Sequence, residues 1–177
     1  MRKPIPPERA VSDEAAKEAA LRILARGPRT EREILDRLIE RGYVPDAVER
    51  AVERLRRVSL LDDRAYLGWF VRAELFRKAQ ALRLLENKLA RHGVPRPLIA
   101  AAEEAIRADP DLAERALDTE EGRALAAARE LERKNAGSRV RRDPEERRRR
   151  LQSALLRRGF SWDTIRDLVP QSTHPES

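Results

Sequence analysis

The sequence predicts an all-α fold: an elongated tandem array of three three-helix, helix-turn-helix-like repeats. Three observations lead there. The 177 residues are rich in Ala, Leu, Arg and Glu, with 39% charged and only 4% aromatic side chains, a mixture that favours helix over sheet and a thin core. Apolar residues recur at spacings of three and four, and no stretch reads persuasively as a strand. Finally, one helix-stop pattern occurs three times: Leu38-Ile39-Glu40-Arg41-Gly42-Tyr43, Leu89-Ala90-Arg91-His92-Gly93-Val94 and Leu155-Leu156-Arg157-Arg158-Gly159-Phe160. Each has Leu four before the glycine, a basic residue one before it and an apolar residue after it. Ile34, Leu85 and Leu151 lie eight before the glycines, and Val48, Ile99 and Ile165 six after. Three-helix units this small bury little alone, so neighbours are expected to stack.

Residues 1–11 are Pro-rich and read as a disordered tail. The first repeat, residues 12–58, starts where Ser12 caps a helix carrying Ala15, Ala19, Leu21, Ile23 and Leu24, ended by Gly27-Pro28. Thr30-Glu31-Arg32-Glu33 forms a capping box for a second helix with Ile34, Leu35, Leu38 and Ile39 inward. Gly42 stops it, where a left-handed residue is wanted. Pro45-Asp46 opens a third helix bearing Val48, Ala51, Val52 and Leu55.

The second repeat, residues 59–108, begins with the most informative stretch, Leu60-Leu61-Asp62-Asp63-Arg64-Ala65-Tyr66-Leu67-Gly68-Trp69-Phe70-Val71-Arg72. Asp62 or Asp63 caps its helix and meets the positive end of the helix dipole. Tyr66, Trp69, Phe70 and Ala73 are expected on one core-facing stripe. A fifth helix spans about Gln80 to Arg91 with Leu82, Leu85 and Leu89 inward, stopped by Gly93. A sixth runs from Pro95 to Arg107.

Residues 109–119 are an acidic linker or insertion, with a short helix about Leu112 and Leu117. The third repeat, residues 120–169, opens with a helix from Glu120 to Lys134 whose apolar residues are Leu125, Ala128 and Leu131. Asp143-Pro144-Glu145-Glu146 signals another start, for a helix stopped by Gly159. Ser161 caps a last short helix with Trp162, Ile165, Leu168 and Val169. Residues 170–177 read as a polar tail.

The net charge is +7, unevenly spread: residues 1–100 hold 22 basic and 15 acidic groups, residues 101–120 two and seven. Such a basic excess suits a polyanionic partner or describes a solvated Arg-rich surface. The chain has no cysteine, which excludes disulfides, thiol catalysis and thiolate–zinc sites. Met1 to Pro7 lack the apolar stretch of a signal peptide, and no run of about 18 apolar residues is present. The two histidines, His92 and His174, form no triad or metal cluster, and no Gly-rich loop ending in Lys-Ser/Thr is present, so no catalytic, metal or cofactor site is expected. Asp62 and Asp63, adjacent at a helix start without convergent ligands, read as caps.

The three repeats, the stretch from Leu60 to Arg72, the segment Glu86-Asn87-Lys88-Leu89-Ala90-Arg91-His92-Gly93-Val94 and the opening Thr30-Glu31-Arg32-Glu33-Ile34-Leu35-Asp36-Arg37-Leu38 together resemble the RecX family of recombinase regulators. The similarity covers residues 14–107 well and 120–169 loosely. Ala79 stands where the family often has Gly, and the acidic insertion and the Arg-rich loop before the third repeat are unusual for it. The resemblance implies a cytoplasmic, non-enzymatic, monomeric protein without cofactor or small-molecule substrate. It implies binding to the RecA–single-stranded-DNA filament and restraint of its ATPase, strand-exchange and co-protease activities in DNA repair, recombination and the SOS response. It further implies weak binding to single- and double-stranded DNA. A direct DNA-binding array is the alternative. Candidate partner contacts are Arg64, Arg72, Arg77, Lys78, Arg83, Lys88 and Arg91 around the second repeat, and Arg139, Arg141, Arg142, Arg147, Arg148, Arg149 and Arg150 in the densest basic run. Leu61, Asp62, Asp63, Tyr66, Phe70, Gly42, Gly93 and Gly159 are the expected structural motif.

Overall fold

The computed structural model describes residues 5–136 and 143–169. All regular structure among them is helical: α1 (Pro7–Ala10), α2 (Asp13–Leu24), α3 (Glu31–Ile39), α4 (Pro45–Arg57), α5 (Asp63–Arg77), α6 (Leu82–Arg91), α7 (Arg96–Ala100), α8 (Ala102–Arg107), α9 (Pro110–Glu114), α10 (Glu120–Ala136), α11 (Pro144–Arg157) and α12 (Trp162–Leu168). The helices gather into two compact units. One comprises residues up to Trp69 together with Lys88–Ala100; the other comprises Phe70–Asn87 and the residues from Ala101 onward. Helices α5 and α6 therefore each contribute residues to both.

In the first unit, α2 and α4 pack most extensively, with α3 against both. Ala16, Ala19, Ala20 and Ile23 of α2, Ile34 and Leu38 of α3, and Val48, Ala51, Val52 and Leu55 of α4 form the core, joined by Tyr43 and Leu61. The small side chains of α2 let α4 approach closely, which is how a chain poor in aromatics reaches interior density. Ser12 and Thr30 cap α2 and α3 by accepting the Ala15 and Glu33 amides at 3.2 and 3.1 Å. Ile39, expected inward, is 45% exposed, because Ile34 and Leu38 already fill the core-facing side of this short helix. The expected disordered stretch up to residue 11 is corrected from Ile5 onward. Ile5 packs on the core, α1 forms one turn, and the Val44 amide donates to the Ala10 carbonyl at 2.9 Å.

The three sequence-matched stops fold alike. Gly42, Gly93 and Gly159 have φ of +93°, +79° and +90°. The residue after each donates its N–H back to the leucine five before it: Tyr43 to Leu38 (3.2 Å), Val94 to Leu89 (3.1 Å) and Phe160 to Leu155 (3.3 Å). This is the closing bond of the Schellman motif. The same bond runs from Leu60 to Leu55 and from Leu117 to Leu112, but there the left-handed positions are Ser59 (φ 54°) and Ala116 (φ 52°).

The helix expected over Pro95–Arg107 is interrupted. Ala101 has φ −87° and ψ 2°, and the turn re-aims the chain so that Ala102 and Ile106 are fully buried, whereas α7 buries none of its residues. In the second unit the acidic segment is folded: Asp109 caps α9 through the Asp111 and Leu112 amides at 3.0 and 3.2 Å, and Leu112 is fully buried. Helix α10 buries Arg123, Ala124, Ala127 and Ala128, while Leu125, the first of its apolar residues named above, is 37% exposed. The small alanines define that face because they allow close approach, leaving Leu125 beside it. Trp162 is likewise exposed, and Ile165 is the residue of α12 that reaches the core.

Candidate functional site

Three stretches singled out in the sequence meet at one point in the first unit: the α3 start, the α5 start and the α6 stop. Asp62 caps its own helix, accepting the Arg64 and Ala65 amides at 2.8 and 3.1 Å. Asp63 turns away and accepts the Glu31 amide at 2.9 Å, so it caps α3, 32 residues earlier in the chain. This places a carboxylate at the positive end of the α3 dipole. Burial pushes the Asp63 pKa above the ordinary carboxylate value, against the opposing pull of the Glu31 amide.

Thr30 is fully buried and serves two helices. Its Oγ1 accepts from Glu33 within α3 and donates to the His92 carbonyl at 2.6 Å, at the end of α6. The return arm expected of a capping box is replaced: Glu33 Oε1 lies 2.8 Å from His92 Nδ1. The His92 ring lies 6.1 Å from that of Tyr66, which lies 5.7 Å from Trp69. Tyr66 is thereby fixed from both sides and is 5% exposed.

Trp69 is the correction that matters for function. Its spacing predicts a place in the core stripe with Tyr66 and Phe70, but 47% of it is exposed. Tyr66, Leu67, Phe70 and Val71 make up the buried face, and on a helix Trp69 falls on the far side of Tyr66 from them. Together with Leu60, 53% exposed, it borders an apolar groove of about 580 Å³. The end of α2 (Leu21, Leu24, Ala25), Pro28 and Tyr66 complete the apolar walls, and Arg29 and Asp62 are the charged lining groups. An exposed aromatic beside a preformed apolar hollow is the usual form of an interaction anchor. Among the described residues no group of three or more acidic or histidine side chains is placed to hold a metal ion, and no helix is long and apolar enough to cross a membrane.

The predicted cations divide between the units. Arg64, Lys88 and Arg91 belong to the first, where Arg64 and Arg91 are exposed and Lys88 half-buried. Arg72, Arg77, Lys78 and Arg83 belong to the second. There Arg72 holds Asp109 and Asp111 at 2.6 and 3.1 Å, and Asp109 first among them raises its pKa. Arg77 pairs with Glu74 at 2.7 Å, and Arg83 donates to the Gly159 carbonyl at 3.1 Å. In the basic run, Arg148 pairs with Glu145 and Arg150 with Glu146, while Arg147 and Arg149 are exposed. Arg139, Arg141 and Arg142 lie outside the described residues.

Sequence reasoning missed two buried guanidinium groups in the second unit. Arg123 donates to the Leu117 and Asp118 carbonyls and to Glu120. Arg158 donates to the Ala79 carbonyl and to Glu130 Oε2, at 3.3 and 2.8 Å. The Arg158 hydrogen bond holds Glu130 down to a pKa of about 2. For Arg123 a signal was present: a cation inside an alanine face, three residues after Glu120.

Comparison with known proteins finds relatives over most of this chain. Residues 16–55 match the family model described as the first three-helix domain of RecX, and residues 121–169 match that of the third. The regulatory protein RecX of Halorhodospira halophila is 32% identical over 161 residues, covering 90% of this chain and 89% of the relative. That of Mycobacterium leprae is 30% identical over 164 residues, covering 93% and 89%. The crystal structure of RecX from Lactobacillus salivarius superposes with a TM-score of 0.66 at 21% identity, over 89% of this chain and 93% of that one, a likeness of fold.

Proposed function

The chain belongs to the RecX family of regulatory proteins, and we propose that it binds the RecA filament on single-stranded DNA and restrains ATP hydrolysis, strand exchange and co-protease activity. Family membership across nine-tenths of the chain is the observation that carries this reading. The physical arrangement supports it. In the first unit the Trp69 groove supplies an apolar anchor, braced by Tyr66 and His92, and Arg64, Lys88 and Arg91 supply charge. Exposed arginines steer a basic protein towards a filament whose surface includes DNA phosphate, raising the rate of encounter more than the final affinity. Residence then depends on the buried anchor.

Trp69→Ala tests the anchor. Its ring is half in solvent, so the fold is expected to keep its stability within about 1 kcal/mol, while affinity for the RecA filament falls roughly tenfold or more. Equal affinity of the two proteins for the filament would remove the groove from the contact.

The second reading, direct DNA binding, is favoured by the +7 charge and by Arg147 and Arg149. It differs in what it requires. Binding would need DNA alone and would fall steeply with salt, whereas the proposed function needs the recombinase.

A further inference from the structure

The Trp69 groove has the form of a place for one more helix. Two of its walls are helical. Leu21 and Leu24, three apart, line it from the end of α2, and Ala65 and Trp69, four apart, from the start of α5. Residues at these spacings make ridges along one side of a helix, and ridges on two walls leave room for those of a third helix between them. Its volume of about 580 Å³ holds several side chains rather than one. Among the described residues all regular structure is helical, so no sheet edge is offered to an extended strand, and the recognition mode left to an apolar groove of this kind is a helix laid into it.

The charges about the groove are mainly positive. Arg29, a lining residue, donates to the Pro28 carbonyl at 2.9 Å and stands 3.9 Å from Glu33. Arg26 and Arg64 are exposed, adjoin the lining residues Ala25 and Ala65 in the chain, and hold no ion pair among the described residues. Asp62 is the lining carboxylate, and its Oδ1 is taken by the Arg64 and Ala65 amides. The Trp69 indole N–H has no acceptor among the described residues, and an indole that becomes buried takes one. An occupant that covers the leucines and Trp69 therefore has to bring acceptors and negative charge to the rim.

We propose that the groove receives an amphipathic helix of the recombinase, with apolar residues at helical spacing on one side and Asp or Glu flanking them. This rests on the reading that the chain binds the RecA filament, and it places the contact on protein rather than on DNA. A DNA base would stack on the flat ring of Trp69 and leave Leu21 and Leu24 uncovered. The apolar stripe sets how long the helix stays, and its acidic flanks meet Arg26, Arg29 and Arg64, which sets how fast it arrives.

Site-specific photo-crosslinking of the full chain on RecA–single-stranded-DNA filaments tests this. Benzoylphenylalanine replaces Leu60 in one variant and Trp69 in another, and co-sedimentation first shows that parent and variants bind the filament. After irradiation, peptide mapping by mass spectrometry is expected to place both crosslinks on one helical segment of the recombinase with an apolar stripe and acidic flanks. Arg26→Glu and Arg64→Glu, at exposed positions where circular dichroism is expected to stay unchanged, together raise the filament Kd roughly tenfold. Replacing the acids of the crosslinked helix with Lys is expected to restore most of that loss. Crosslinks to DNA, to a second copy of this chain or to a recombinase segment without that pattern would overturn the proposal while leaving filament binding intact. So would binding without any crosslink, or an unchanged Kd in the double variant. A parent chain that fails to sediment with the filament would overturn the functional reading, and the proposal with it.

Discussion

Asp63 caps a helix that is not its own, and replacing it isolates that tie. In Asp63→Ala the Glu31 amide, 2.9 Å from the carboxylate, loses its acceptor at a site where Asp63 is only 8% exposed. An unsatisfied buried donor costs about 1–3 kcal/mol, and a charge at a helix N-terminus contributes about 0.3–1 kcal/mol. Relief from keeping a desolvated carboxylate ionised offsets part of this. A net loss of about 2 kcal/mol follows, which lowers Tm by roughly 4–8 °C in a chain of this size. Asp63→Asn retains an oxygen acceptor and loses less. Because burial raises the folded pKa of Asp63, its stabilising contribution is complete below the unfolded value of 3.8 and is lost as pH rises through the folded value. The unaltered protein therefore gains on Asp63→Asn as pH is lowered through that window. Thermal unfolding of the three proteins between pH 3.5 and 7 is the assay. An Asp63→Ala variant within about 0.5 kcal/mol of the parent, or a gap that moves the other way with pH, would refute the reasoning.

Other consequences follow from the same geometry. Glu130→Gln leaves the buried Arg158 without its charged partner and costs about 2 kcal/mol at neutral pH. Since the folded pKa is lowered to about 2 from 4.5, that difference is present above pH 4.5 and fades as pH falls towards 2, which a pH series of denaturant melts reads directly. Ser59→Gly and Ala116→Gly relieve left-handed strain at φ 54° and 52°. Each is expected to stabilise by about 0.5–1 kcal/mol once the greater freedom of unfolded glycine is subtracted, measured as a higher denaturant midpoint with unchanged slope.

Local signals were the legible part of this chain. Ser12, Thr30, Asp143 and Ser161 each cap the helix their spacing predicts, because a cap is decided by the three residues that follow it. The glycine stops were legible for the same reason. What the sequence left hidden depends on partners far away in the chain. Nothing near Asp63 says that its carboxylate caps α3, and nothing near Thr30 says that its hydroxyl reaches His92. Arg158 reads as one more surface cation until Glu130 and the Ala79 carbonyl are placed around it. Trp69 was misplaced because apolar spacing on α5 fits two faces: Ala65, Trp69, Ala73 and Phe76 recur on the exposed side as Tyr66, Phe70 and Leu75 do on the buried one. Periodicity alone cannot choose between such faces. Among the candidate cations, Arg72 proved to hold the acidic segment, a role that only the fold of residues 109–114 discloses.

Single-stranded-DNA-dependent ATP hydrolysis by the cognate RecA, with this protein titrated in beside a DNA-only binding control, tests the central claim most directly. Restraint of hydrolysis at well below one copy per recombinase, with weak binding to bare DNA, is the result expected of a filament regulator. Unchanged hydrolysis accompanied by tight, salt-sensitive binding to DNA alone would contradict it and make the basic repeats a DNA-binding array.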